Sequence, residues 1–157
     1  MRVLVLPKWY PWPDRPVFGL FCREHARAAA LHHDVRVLAF TPERMRGLYR
    51  LWDDVDEPVP TTRLIYRRPV LRPAAMATQL AGMWEAVRRW KPDLIHAHVF
   101  EAGFPAVLLA RRLGVPVVIT EHYRPAVGAI TPRLAARARC ERSFSRRSDA
   151  SGPDAAA

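Results

Sequence analysis

A chain of 157 residues, half of them hydrophobic, has room for one domain with a real core and is too apolar to be a disordered segment. Its formal charge of +10 rests on 25 basic residues, of which only Lys8 and Lys91 are lysine, and residues 133–147 hold six Arg against one Glu, or half of the excess. Charge so concentrated reads as a solvated Arg-rich face, and nucleic acid is not among the expected partners.

No apolar run approaches the ~20 residues that a membrane span needs. No signal peptide is evident, since Met1-Arg2 leads into a short apolar strand that Pro7 stops. Cys22 and Cys140 form no C-x-x-C pattern. The expected location is therefore the reduced cytoplasm, with any membrane contact made from its inner face.

Arg2-Val3-Leu4-Val5-Leu6-Pro7 reads as a buried first strand. Lys8 to Pro16 is a loop rich in Pro and aromatics, with Trp9, Tyr10 and Trp12 beside a strand end. Either it lids the core or it binds a partner. A helix follows from about Val17 to Leu31, with Phe18, Phe21, Cys22, Ala26 and Ala29 on its core face. Gly19 in its first turn leaves the backbone N–H groups open to a ligand.

Val35 to Phe40 reads as the second strand, and Thr41 to Thr61 as an irregular solvated excursion. Arg63 to Tyr66 is a third strand, followed by a helix starting near Pro73. Met76, Leu80, Met83, Trp84 and Val87 form its apolar stripe and point to core. Lys91 to His122 then reads as strand, turn, helix, turn, strand: the first strand ends at His96-Ala97-His98, Gly103 opens the helix, and Gly114 sits just past its end. Val115 to Thr120 is apolar enough to be covered on both faces, as in a parallel sheet. A further helix is expected from Thr131-Pro132.

Ligands of open α/β sheets bind outside the carboxyl ends of the strands, so His96, His98, Glu101, Thr120, Glu121 and His122 are the candidates for chemistry. His96-x-His98 puts two imidazoles on one side of a strand. Three readings are open: a metal site, which would need ligands beyond these strands; histidines hydrogen-bonded within the strand-end loops; or a site facing a sugar or phosphate, where neutral His supplies a donor and an acceptor. No nucleophile elbow and no P-loop occurs. Cys22 faces the core by helical phase, so it is not a nucleophile.

V-L-V-L-P-K-W-Y-P, P-V-F-G-L-F-C-R-E-H-A-R-A-A-A, K-P-D-L-I-H-A-H and G-V-P-V-V-I-T-E-H, in that order, resemble the N-terminal domain of family 4 glycosyltransferases, from Met1 to about Ala136. The resemblance implies a Rossmann-like, mostly parallel open sheet flanked by helices, which is one half of the two-domain GT-B fold. It implies retaining transfer of a hexosyl group from a nucleotide-sugar donor to a cell-envelope lipid or saccharide, with no cofactor and no metal. Gly19 corresponds to the glycine whose backbone approaches the donor diphosphate, and His122 to the histidine beside the transferred sugar. Lys8, Trp9 and Tyr10, with His98 and Glu121, fall on the acceptor side.

The chain departs from that pattern twice. Phe18-Gly19 stands where many members have two glycines. No acidic E-x7-E motif of a donor-binding domain follows. The expectation is a domain over residues 1–138, an irregular tail over 139–157, and no donor domain, as in a truncated or frameshifted product that is inactive alone unless a separate donor-domain chain completes it. The rival reading is a non-catalytic module that binds a saccharide or a protein.

Overall fold

A computed structural model describes residues 1–122 apart from 56, 69–71 and 89. The helix expected from Thr131, the tail over 139–157 and Cys140 lie outside the described residues. In chain order the elements are β1 (Arg2–Pro7), α1 (Leu20–Ala30), β2 (Asp34–Glu43), β3 (Tyr49–Asp54), β4 (Thr61–Arg67), α2 (Arg72–Val87), β5 (Leu94–His98), α3 (Phe100–Leu113) and β6 (Val117–Thr120). They form one six-stranded sheet in the order β3-β4-β2-β1-β5-β6. Every pairing is parallel except β3 with β4. This is the Rossmann-like α/β fold that the alternation of strands and helices predicts.

Strand alternation sorts the core into two halves. Leu4, Leu6, Ile95 and Ala97 join Met83 and Val87 of α2 and Ala102 and Ala106 of α3. Val3 and Val5 join Cys22 and Ala26 of α1 on the other face. Period-two geometry then sends His96 and His98 to the α1 face, because Ile95 and Ala97 face α2 and α3. The apolar strands carry few polar side chains because both faces are covered.

Four expectations change. The excursion after Thr41 contains β3, an antiparallel edge strand in register with β4 from Tyr49↔Tyr66 to Asp54↔Thr61. Its alternation is weak because it is an edge whose positions are half-buried or exposed, with none in the core. β6 is not covered on both faces: Val118 and Ile119 are 48% and 47% exposed. It terminates the described sheet and pairs with β5 alone. α1 begins at Leu20, not near Val17, and of its expected core face Cys22 and Ala26 are buried while Phe18 and Phe21 are exposed. α3 begins at Phe100, three residues before Gly103. Its cap is distant in sequence, since Glu121 Oε2 accepts a hydrogen bond from the Phe100 N–H at 2.8 Å.

Candidate functional site

β2 lies on one side of β1 and β5 on the other, so the chain reverses its direction of travel across the sheet between β1 and β5. The carboxyl ends of those strands are Pro7 and His98, and the Lys8 N–H donates to the His98 carbonyl at 3.2 Å. Lys8 Nζ lies 3.7 Å from Glu101 Oε2 in the first turn of α3. A cation thus sits at the switch point, close to a helix start.

Four histidines gather on the α1 side of that point. The His96 and His98 rings are 4.2 Å apart, as two residues on one face of one strand must be. His96 Nε2 meets Thr120 Oγ1 at 2.7 Å, and His98 Nδ1 meets His122 Nε2 at 2.9 Å. The ladder pairs His96 with Val118 and His98 with Thr120, so each of these side-chain contacts reaches two residues beyond its backbone partner, and His122 lies past the end of β6. The His98 and His122 rings are nearly parallel, 5.2 Å apart at 3°. His25 of α1 covers both, 5.5 Å from His98 and 5.3 Å from His122.

Burial favours the neutral form of His96, His98 and His122. Burial pushes His98 down to about 3, with its histidine neighbours adding repulsion. Burial also lowers His96 and His122, and for His122 the Glu121 carboxylate opposes the shift. In a pair of neutral rings at 2.9 Å one nitrogen carries the proton and the other accepts. The outer nitrogen of His122 is then fixed as donor or acceptor by the tautomer of His98. Nε2 of His98 is buried and has no hydrogen-bond partner among the described residues.

The structure brings most of the sequence candidates to this end of the sheet. Phe21, two residues after Gly19, lies 4.5 Å from the His122 ring, so the start of α1 and the end of β6 face one crevice. Gly19 itself is buried in the left-handed conformation, φ 73°. A Cβ there would collide with the Trp9 carbonyl and lie 2.6 Å from the Tyr10 nitrogen. The aromatic loop therefore requires a glycine at this position whatever binds nearby. Trp9 packs against Phe18 and Phe21 and lines the same rim. Glu121 turns inward: its two oxygens accept from the Phe100 and His122 N–H groups and hold the β6 end to the start of α3.

Tyr10 is not brought to the crevice surface. It is 2% exposed, and its hydroxyl is directed to Glu57 and Thr61. His98 is likewise fully buried beneath His122. A cleft of about 270 Å³ does open beside the aromatic loop, lined by Lys8, Trp12, Phe18, Phe40 and Glu43 among others.

Three participants escape the sequence patterns. Arg63 is 3% exposed and ties Asp54, Glu57 and the Pro11 carbonyl together beneath Trp12. Asp54 and Glu57 of the excursion are thus its ion-pair partners, not solvated charges. His25 falls one turn past Phe21 and Cys22, a helical spacing that could have flagged it. Val99 holds φ 72°, ψ 133° between β5 and α3 while 1% exposed. A β-branched residue there stores strain of about 1–3 kcal/mol, and no sequence pattern announces it.

The glycosyl transferase 4-like domain model matches residues 21–151. Among solved structures, a sucrose-phosphate synthase segment from Thermosynechococcus elongatus superposes with TM-score 0.52 at 13% identity, covering 81% of this chain and 66% of its own. The longer sucrose-phosphate synthase from the same organism gives TM-score 0.49 at 10% identity, over 84% of this chain and 36% of its own. A trehalose-6-phosphate structure from E. coli bound with UDP-2-fluoro glucose gives 0.49 at 13%, over 77% and 32%. The chain spans less than two thirds of the length of each. No curated protein matches it.

Proposed function

The chain belongs to the glycosyl transferase 4-like domain family, and from that premise we propose that it is the acceptor-side half of a retaining glycosyltransferase. It takes a hexosyl group from a nucleotide-sugar donor to a cell-envelope lipid or saccharide, in the cytoplasm or at the inner face of the membrane. Among the described residues no helix is long and apolar enough to cross a membrane. The donor-binding half comes from a separate chain or a further segment, and no cofactor takes part.

The observation that carries this reading is the position of His122. It stands past the carboxyl end of β6, against Phe21 of α1, in a part-buried hydrogen bond with His98 of β5. A neutral imidazole fixed there offers one nitrogen to a sugar hydroxyl of the donor. Gly19 lets the backbone at the start of α1 come near the departing diphosphate, and Lys8 adds a positive charge at the switch point. Preorganised dipoles and charge of this kind stabilise a leaving group without reorganising. Trp9 and the Lys8–Trp12 cleft receive the acceptor. Tyr10, His98 and Glu121 support that surface from beneath, since each is buried or hydrogen-bonded to the frame.

Transfer assays with nucleotide sugars test the reading. The chain alone should turn over at background, and a separately expressed donor domain should restore transfer. His122→Ala should then lower the restored rate by ~100-fold or more while leaving the melting temperature nearly unchanged. Turnover by the chain alone at the rate of complete enzymes, or equal losses of rate and stability in His122→Ala, would overturn it.

A further inference from the structure

His122 also caps a second cluster, which reaches into the core through groups that make no contact with the crevice surface. Cys22 of α1, His98 of β5 and His122 beyond β6 each present a ligating atom, and the three atoms lie within 4.8 Å of one another. Cys22 and His98 are fully buried and His122 is half-buried. A buried imidazole nitrogen without a partner calls for an explanation, and Nε2 of His98 is such an atom among the described residues. We propose that Cys22, His98 and His122 form a site for a thiophilic divalent transition metal, Zn(II) by its ligand set, with the fourth position open on the exposed side of His122.

The chemistry of the donors selects the ion. One thiol and two neutral imidazoles suit zinc, whereas hard cations such as Mg(II) and Ca(II) need oxygens. Zinc–nitrogen bonds of ~2.0–2.1 Å and zinc–sulfur bonds of ~2.3 Å put ligand atoms roughly 3.3–3.7 Å apart, so the trio must close by about an ångström. Cys22 and His98 are fixed in the core, and His122 lies beyond the last pairing of β6, so the movement falls to His122. Entry is past the same residue. On binding, M(II) displaces the thiol proton: the S–H bond breaks, a metal–thiolate bond forms, and one proton is released to solvent. The metal also replaces the His98–His122 hydrogen bond, since that contact uses a lone pair the ion needs. Occupation therefore takes His122 out of the crevice.

Co(II) reports such a site by spectroscopy without any transfer assay. The metal-stripped full-length chain, titrated with Co(II), should show a thiolate-to-cobalt band in the near ultraviolet and tetrahedral bands in the visible, both removed by added Zn(II). Cys22→Ser should abolish the near-ultraviolet band, and Cys140→Ser should keep it. His122→Ala, at a half-buried position, should weaken binding by at least ~10-fold. Absence of the thiolate band from the wild-type chain would overturn the proposal. So would its survival in Cys22→Ser, or unchanged affinity in a folded His122→Ala. Failure here leaves sugar transfer untouched, because the readout is the metal's own spectrum.

Discussion

His98 Nδ1 and His122 Nε2 lie 2.9 Å apart, joining the last residue of β5 to the second residue beyond β6. The bond places a buried ring under one at the crevice. Its consequence is that a proton added to His98 would be buried and would disturb the contact that holds His122.

That yields an acid-stability prediction. Burial lowers His98 from 6.5 to about 3, so the folded chain holds it neutral where the unfolded chain binds a proton. Its contribution is complete above the unfolded value and disappears as pH falls from 6.5 toward 3. A difference of that size between the folded and unfolded chain is worth at most about 5 kcal/mol. Urea unfolding in EDTA should show stability falling across this window in the wild type and falling less in His98→Asn. Identical slopes would show that His98 is not the group responsible.

Gly19 and Gly114 share a φ near +72° but differ in surroundings. A Cβ at Gly114 meets nothing within 4 Å, and one at Gly19 meets the Trp9 and Tyr10 backbone. Gly114→Ala should cost ~1 kcal/mol, the left-handed penalty alone. Gly19→Ala should cost at least ~3 kcal/mol, because the aromatic loop must move as well. Denaturant midpoints for the two variants decide, and equal costs would contradict the close backbone approach.

Arg63 is a buried charge with Asp54 Oδ2 at 2.7 Å and Glu57 Oε1 at 3.1 Å. Its guanidinium also lies 4.6 Å over the Trp12 ring. Arg63→Ala leaves two partly buried carboxylates without their cation and should destabilise by ~3–5 kcal/mol. Trp12 emission should shift to the red as the loop opens to water. A loss below ~1 kcal/mol would mean that solvent already screens the network.

Burial pushes the Cys22 thiol up to about 12, so the thiolate needed for attack is scarce at neutral pH. In a Cys140→Ser background, Cys22 should react with a disulfide reagent at least ~100-fold more slowly in the folded chain than in urea. Comparable rates would place Cys22 at the surface.

The strands and helices were legible where one period dominates. Val3 to Leu6 are buried on both faces, Ile95 and Ala97 are buried on one, and both runs read as strands from their own residues. β3 was not legible, because an edge strand paired on one side leaves a blurred alternation in Tyr49 to Asp54. Nor could Phe21 be assigned by helical phase: it follows the apolar pattern of α1 yet turns to the His122 ring, which lies about a hundred residues on. The strand-end histidines stood out by their place after apolar runs, but their partners did not.

Local chemistry along the chain determined the α/β alternation and the clustering of polar groups at strand ends, since those depend on dihedral preference and apolar period. Tertiary structure alone decided that Cys22, His25, His96, His98 and His122 share one space, that Arg63 holds the aromatic loop, and that Tyr10 is buried. Each of these depends on strand order and register, and parallel pairing joins residues whose separation no local pattern encodes.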